Sequence, residues 1–350
     1  MAIERFFTQE VGGDEGYLTS LRPRALDECI GQHVVREQLR IALDAARRRG
    51  EPLDHVLLDG PPGLGKTTLA HIIANEMSTT IRVTSGPAIV RQGDLMSLLT
   101  DMQRGDVLFI DEVHRLGTVV EEFLYPALED FRVDYTTESG VGGRTINFAL
   151  PHFTLIGATT RAGMLSAPLR ARFGLFLHLQ YYRVEELTEI VARSAARLKI
   201  NASPGALERL AARSRGTPRI VNRLLRRVRD YAEVRGDGRL TPEMVDAALE
   251  ILQIDGLGLD ALDREYLMVL MKHYDGGPAG VEAIAAVMGH DRDTLEDVVE
   301  PYLLQVGFVV RTPRGRQARP AAYAHVGLAA PPSRDATLKD VPEQPSLFTG

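Results

Sequence analysis

Cysteine occurs once in these 350 residues, at Cys29, so no disulfide framework and no cysteine-built zinc site forms within the chain. Long apolar runs are missing, and none approaches the roughly 20 residues of a membrane-spanning helix. Residues Met1 to Glu10 lack the basic-then-apolar layout of a signal peptide, which leaves the cytoplasm as the expected location and no membrane as a partner. Positive charge is not in excess either. Forty-one Lys and Arg stand against 47 Asp and Glu, a net charge of −6, which argues against a surface coated for indiscriminate nucleic-acid binding. Lysine is scarce, confined to Lys66, Lys199, Lys272 and Lys339; that bias points to a GC-rich genome and carries no mechanism. What remains, 44% hydrophobic and 25% charged, matches a globular protein with a sizeable core, and the length allows two or three domains.

The most informative stretch is 55–72. An apolar run, Val56 to Leu58, breaks at Gly60-Pro61-Pro62-Gly63-Leu64-Gly65, and an amphipathic helix opens at Lys66-Thr67. That is Gly-x-x-x-x-Gly-Lys-Thr, strand before and helix after. Glycines let the backbone curl so that successive N–H groups, Thr68 included, face phosphate oxygens, and the helix N-terminus adds partial positive charge. Lys66 is placed to reach phosphates, and the Thr67 hydroxyl suits Mg²⁺, which takes few protein ligands. A nucleoside triphosphate is the expected ligand.

A second apolar strand, Val107 to Ile110, ends in Asp111-Glu112. Downstream of a phosphate loop, Asp111 is a metal carboxylate and Glu112 a general base toward water. The run Asp111-Glu112-Val113-His114 also resembles a motif of helicases with two RecA-like domains, but no second nucleotide-binding sheet domain follows. The guanine-reading Asn-Lys-x-Asp pattern is absent, which favours ATP over GTP.

Further buried strands are expected at Ile81–Val83 and Phe153–Ile156, the latter leading to Thr160, so the first part reads as a parallel sheet covered by helices. Phe131 to Leu150 alternates (Val133, Tyr135, Ile146, Phe148) around Ser139-Gly140-Val141-Gly142-Gly143, a hairpin signal that either projects or packs on its own body. Helical patterns over Val184–Leu198, Pro204–Arg213, Pro218–Glu233 and Thr241–Leu252 form a small bundle. On the third of these, Arg223, Arg226, Arg227 and Arg229 read as mostly a solvated face. After Gly256-Leu257-Gly258 come helices near Asp260–Tyr274, Val281–Met288 and Thr294–Gln305, the last opened by an Asp293–Glu296 capping box. Phe308–Val310 and Ala321–His325 read as two strands joined by an acid-free, arginine-rich tip: a winged helix-turn-helix. Its second helix carries Glu296, Asp297 and Glu300, so phosphates would repel it. The wing, through Arg311, Arg314 and Arg316 with Arg319 at its edge, is the expected backbone contact. The arm 1–20 is polar, and the tail from Pro331 is expected to be disordered.

The order of phosphate loop, Asp111-Glu112 strand, Thr160, Leu169-Arg170-Ala171-Arg172-Phe173-Gly174 and Gly216-Thr217-Pro218-Arg219 resembles the AAA+ ATPases. Within that class Gly60–Thr68, Asp111–Leu116, Leu155–Gly163, Pro168–Gly174, Gly216–Val228 and Arg311–Arg316 resemble the RuvB branch-migration family, over about residues 17–330. The resemblance implies an α/β AAA+ P-loop domain over 1–182 with helices on both faces of its sheet, a helical lid over 183–254, a winged-helix head over 257–330 and a tail over 331–350. It implies an ATPase using ATP and Mg²⁺, with Thr160 sensing the γ-phosphate and Arg219 a second sensor. Arg172 resembles an arginine finger toward the neighbouring subunit, with Arg170 the competitor. Leu21, Arg22 and Tyr182 would enclose the rest of the nucleotide, with Glu129, Asp130 and Phe131 as further nucleotide contacts. A homohexameric ring on duplex DNA, Holliday junction movement, RuvA docking on the 131–150 hairpin and later action by RuvC follow by the same resemblance. A clamp-loader-like subunit, ending in a helical collar, and a non-enzymatic ATP-switched adaptor are the competing readings. Gln344-Pro345-Ser346-Leu347-Phe348 resembles short peptides that bind the bacterial sliding clamp, with coincidence as the alternative.

Overall fold

The computed structural model describes Gly16, residues 20–136 and residues 145–330. The polar arm before Gly16, the Ser139–Gly143 turn and the tail from 331, with Gln344–Phe348, lie outside the described residues. Two compact units meet in sequence between Gly258 and Leu259.

In the first unit, β1 (Val56–Asp59), β2 (Ile81–Ser85), β3 (Val107–Asp111), β6 (Thr154–Thr159) and β7 (Leu175–His178) form a five-stranded sheet in the order β2-β3-β6-β1-β7, every pair parallel. The pleat splits β1, β3 and β6 between two cores. Val56, Leu58, Phe109, Ile156 and Ala158 pack with α1 (His33–Arg49) and α2 (Lys66–Glu76). Leu57, Leu108, Ile110 and Leu155 pack on the other face with α3 (Gln92–Thr100) and α4 (Thr118–Glu129). Period-two burial on both faces is what near-continuous apolar runs in a parallel sheet require.

Strand β7 was not expected from the sequence. Its four residues sit at the sheet edge, and Phe176 and His178 face outward, so no continuous apolar run marks it. The hairpin between α4 and β6 is present as β4 (Arg132–Thr136) antiparallel to β5 (Thr145–Ala149). Its base packs on the body: Val133 and Leu150 are buried in the second core, while Phe148 stays partly exposed.

After α5 (Ala167–Ala171) and β7, the chain becomes helical as α6 (Val184–Arg197), α7 (Pro204–Ala212), α8 (Pro218–Arg235) and α9 (Pro242–Ile251). The α8 arginines depart from the expected solvated face. Arg223 is buried, and Arg226, Arg227 and Arg229 are all half-buried. Leu225 widens the apolar stripe of Val221, Leu224 and Val228, and long arginine stems lie along such a surface.

The second unit contains α10 (Ala261–His273), α11 (Val281–Met288) and a continuous helical stretch over 292–305, comprising a turn at Arg292–Thr294, a π-helical turn at Leu295–Val299 and α12 (Glu300–Gln305). The expected Asp293–Glu296 box is absent; Asp291 stands at the N-cap without a side-chain bond, and Glu296 binds arginines instead. A capping box does open α10, between Asp260 and Asp263. The wing is β8 (Val309–Thr312) antiparallel to β9 (Gly315–Ala318). Its second strand therefore precedes the expected one: Pro320 starts α13 (Pro320–His325), because proline suits the first helical turn and donates nothing to a ladder. Among the described residues this winged unit, and no helical collar, follows the lid in sequence.

Candidate functional site

The chemistry gathers at the C-terminal ends of the adjacent strands β3, β6 and β1, where a parallel sheet leaves a crevice. From Asp59 the chain enters the glycine loop, with φ of 138°, 79° and 101° at Gly60, Gly63 and Gly65. All three positions are strained for a side chain, and at Gly60 space excludes one as well. A Cβ at Gly60 would stand 2.5 Å from the Leu179 carbonyl, and one at Gly63 would stand 3.3 Å from the Cβ of Arg219. The loop delivers the first turn of α2, whose N–H groups have no helical partner.

Lys66 is 8% exposed, and its Nζ donates to the carbonyls of Gly60 at 2.7 Å and Pro61 at 2.9 Å. Burial lowers its pKa to about 8, with the carboxylates of Asp111, Asp59 and Glu112 pulling it back up. Asp111 ends β3 and accepts the Glu112 N–H at 2.9 Å; burial raises its pKa despite that bond and nearby Lys66. Glu112 itself has φ 48°, a left-handed conformation that non-glycine residues adopt at a cost. Its carboxylate Oε2 accepts Arg115 Nη1 at 3.1 Å. Thr160 follows β6, exposed, just beyond the fully buried Thr159. Thr159 Oγ1 and His114 Nδ1 are 2.9 Å apart, which ties the end of β6 to the turn after β3.

The lid closes the same crevice. Arg219 N–H meets the Gly63 carbonyl at 3.4 Å, and the Tyr182 N–H donates to the Gly216 carbonyl at 2.9 Å. The resulting cavity of about 890 Å³ is lined by Leu21, Arg22, Gly63, Gly65, Lys66, Thr67, Thr68, Asp111, Glu112, Thr160, Tyr182 and Arg219. The positive-φ loop, the buried ammonium and a crevice walled by two subdomains fit a phosphorylated ligand. The donors nearest the loop, one hydroxyl and one carboxylate, fit Mg²⁺ rather than a metal held by protein alone. Among the described residues no group of three or more His, Cys, Asp and Glu gathers to hold a metal.

Four expected residues lie elsewhere. Glu129, Asp130 and Phe131 end α4 and lead into β4; Arg172 follows α5; none lines this chain's cavity. Glu129 Oε2 accepts Arg172 Nη2 at 2.7 Å, and Asp130 pairs with Arg132 at 3.1 Å. Arg170, the competing candidate, stacks on Phe176 at 5.7 Å. The cavity also has walls that sequence reasoning missed, among them Ile30, Val83, Ile190, Ser194 and Asn222. Ser194 sits in the apolar stripe of α6 and is indistinguishable in sequence from a small core residue. Gly86 was missed as well. A Cβ on it would come within 2.4 Å of the Glu112 carbonyl oxygen.

In the second unit the wing arginines divide. Arg311 and Arg316 turn back onto Glu300, which is fully buried. Arg311 donates to it at 2.9 Å from Nε, and Arg316 at 2.8 Å from Nε and, through Nη2, to Glu296 at 2.7 Å. The Tyr266 hydroxyl donates to Glu300 at 2.9 Å. Two of the three acids expected to repel DNA are thus directed inward and neutralised. Arg314, at the tip between β8 and β9, and Arg319 are exposed.

Residues 21–179 match the Holliday junction DNA helicase RuvB P-loop domain, 182–255 the RuvB AAA lid domain and 256–327 the RuvB C-terminal winged helix domain. The solved Thermotoga maritima RuvB Holliday junction branch migration motor is 52% identical to this chain, with a TM-score of 0.81, over 89% of this chain and 99% of that one. Two mutants of the same Thermotoga maritima RuvB, one replacing a lysine by arginine and the other a proline by glycine, each superpose with a TM-score of 0.83 at 52% identity; both matches cover 89% of this chain, and 99% and 100% of theirs. Among the described residues no helix is long and apolar enough to cross a membrane.

Proposed function

The chain belongs to the RuvB family of Holliday junction branch-migration motors, and on that premise we propose that it hydrolyses ATP with Mg²⁺ while assembled as a homohexameric ring on duplex DNA. The observation that carries the reading is the convergence of Lys66, Asp111, Glu112, Thr160 and the lid's Arg219 on one cavity. Lys66 and the backbone N–H groups of Gly63 to Thr68 bind phosphates, and Thr67 and Asp111 would hold the metal. Bound Mg²⁺ supplies charge neutralisation for the transferred phosphoryl group. Glu112 accepts a proton from the attacking water. Thr160 and Arg219 read the γ-phosphate from the strand end and from the lid, which links nucleotide state to lid position. Leu21, Arg22 and Tyr182 enclose the rest of the nucleotide.

Arg172 acts in trans. It lies outside its own cavity, so its charge serves a neighbour's ATP, beside Glu129, Asp130 and Phe131. Oligomerisation is then a requirement for fast hydrolysis. In the winged unit the exposed Arg314 and Arg319, with the half-exposed Arg311, grip DNA backbone without reading sequence. RuvA docks on the 131–150 hairpin, where Phe148 offers apolar surface, and RuvC acts on the moved junction, all in the cytoplasm. A sliding-clamp contact through Gln344–Phe348 is tested by removing residues 343–350; an unchanged clamp pull-down excludes it.

The deciding experiment is unwinding of a synthetic four-way junction with ATP, with and without RuvA, comparing wild type with Glu112→Gln. Conversion into duplex products that requires Glu112 supports the motor. Hydrolysis without junction movement, even with RuvA, refutes it.

A further inference from the structure

Arg172 is held on three sides. Its guanidinium carbon lies 4.2 Å from the centre of the Tyr125 ring. Nη1 donates to the Pro168 carbonyl and Nη2 to Glu129 Oε2, both at 2.7 Å. The side chain is 17% exposed, and Nε is buried without a partner. The support is itself anchored. The Tyr125 hydroxyl donates to Glu121 Oε1 at 2.6 Å, one turn back on α4, and lies 3.2 Å from Ser166 Oγ. Ser166 also bonds Glu121, and it caps α5 by accepting the Leu169 N–H at 3.2 Å. The helix that supplies the aromatic face thus fixes the start of the short helix that ends at the arginine.

We propose that Tyr125, seconded by Glu129, is the positioning residue of the trans-acting finger: an aromatic seat that sets the direction of Arg172 before a neighbour's ATP arrives. This rests on the finger reading of Arg172 and adds what holds it. A finger works by placing charge, and small misplacement costs large factors in rate. An unsupported arginine would have to lose its rotamer freedom on each engagement; here it is ordered beforehand. The Glu129 carboxylate is 63% exposed, so that ion pair is weak and exchanges readily for phosphate. The ring face, which cannot be outcompeted by an anion, persists.

Pairwise mixing of subunits before ring assembly, with ATP hydrolysis read as phosphate release on DNA, tests the proposal. Alone, Tyr125→Leu loses roughly two- to thirty-fold in kcat with ATP affinity unchanged, and Tyr125→Phe, which keeps the face, loses less. Glu112→Gln subunits retain a finger but lack a working site. They are expected to restore activity to Arg172→Ala subunits and equally to Tyr125→Leu subunits. Arg172→Ala mixed with Tyr125→Leu is expected to turn over no faster than Tyr125→Leu alone, because the only fingers in that ring are misplaced ones. Turnover in that last mixture above that of Tyr125→Leu alone overturns the proposal. Failure of Glu112→Gln to restore Tyr125→Leu, where it does restore Arg172→Ala, makes Tyr125 a folding residue and also overturns it. Failure to restore Arg172→Ala itself instead refutes the finger reading underneath.

Discussion

Arg316 closes on Glu300, a carboxylate with no exposed surface, through Nε at 2.8 Å. Arg316 is itself only 16% exposed, so the pair is an internal brace between the wing and the helix beneath it. The wing arginines therefore do two different jobs, and substitution separates them. Arg314→Ala should leave thermal stability unchanged and lower the salt slope of DNA binding by roughly 0.9. Arg316→Ala should do the reverse, leaving the buried Glu300 with only Arg311 and Tyr266 as partners and destabilising the winged unit by about 2 kcal/mol. Salt titration of DNA binding and thermal melts on both variants check this. Equal loss of salt slope in the two variants would show that Arg316 leaves Glu300 for phosphate.

Arg172→Ala should bind ATP as wild type does, since the side chain lies outside its own cavity. Hydrolysis in the ring should fall by about 10³–10⁵-fold, the usual worth of a finger that neutralises phosphoryl charge. Nucleotide titration and phosphate release on the same preparation decide it; normal turnover would sink the assignment.

Of the sheet strands that were legible in sequence, β1, β3 and β6 are buried on both faces and so print as unbroken apolar runs. Strand β2, expected to be buried too, is a sheet-edge strand that is only half-buried, with Val83 exposed. Strand β7 was not legible, because outward-facing Phe176 and His178 interrupt the signal. The phosphate loop was legible for a similar reason: its backbone geometry admits few residues besides glycine. Second-sphere features were not. Nothing local marks Tyr125 as a stacking partner 47 positions before Arg172, or Glu300 as a buried anchor rather than a surface acid; both depend on packing between distant segments. The wing's second strand lies earlier than expected: Ala321–His325, with three alanines after Pro320, favours a helix, and the observed strand, Gly315–Ala318, is short, polar and marked by no apolar run. The ladder there is fixed from outside, by reciprocal backbone bonds between Arg316 and Ala279.

Gly86 is such a second-sphere residue. Its Cα packs against the turn that carries Glu112: an added Cβ would stand 2.4 Å from the Glu112 carbonyl oxygen and 3.2 Å from the Leu116 nitrogen. Both are backbone atoms and yield only if the turn moves. Gly86→Ala should therefore reduce kcat by roughly tenfold or more through displacement of the general base. ATP affinity should stay near wild type, because the phosphate loop is untouched. A kcat equal to wild type would show that the turn relaxes without moving the carboxylate.

His55 predicts the acid side of the stability profile. It is buried, with Nε2 donating to the Leu128 carbonyl at 3.1 Å and Nδ1 accepting the Leu155 N–H at 2.9 Å. Both ring nitrogens are thus satisfied in the neutral form, and protonating Nδ1 would set two N–H groups against each other. Burial lowers its pKa, against opposing pulls from the Leu128 hydrogen bond and the Asp54 carboxylate. The unfolded chain therefore takes up a proton near pH 6.5, where the folded chain does not. Stability from this residue is complete above about pH 6.5 and declines as pH falls toward the depressed folded value. His55 joins the start of β1 to the end of α4, just before Glu129, so the loss loosens the support of the trans edge as well as the core. Melting temperatures of wild type should fall more steeply between pH 7 and 5 than those of His55→Asn, which has no proton to bind. Parallel curves for the two proteins would assign the acid sensitivity to other groups.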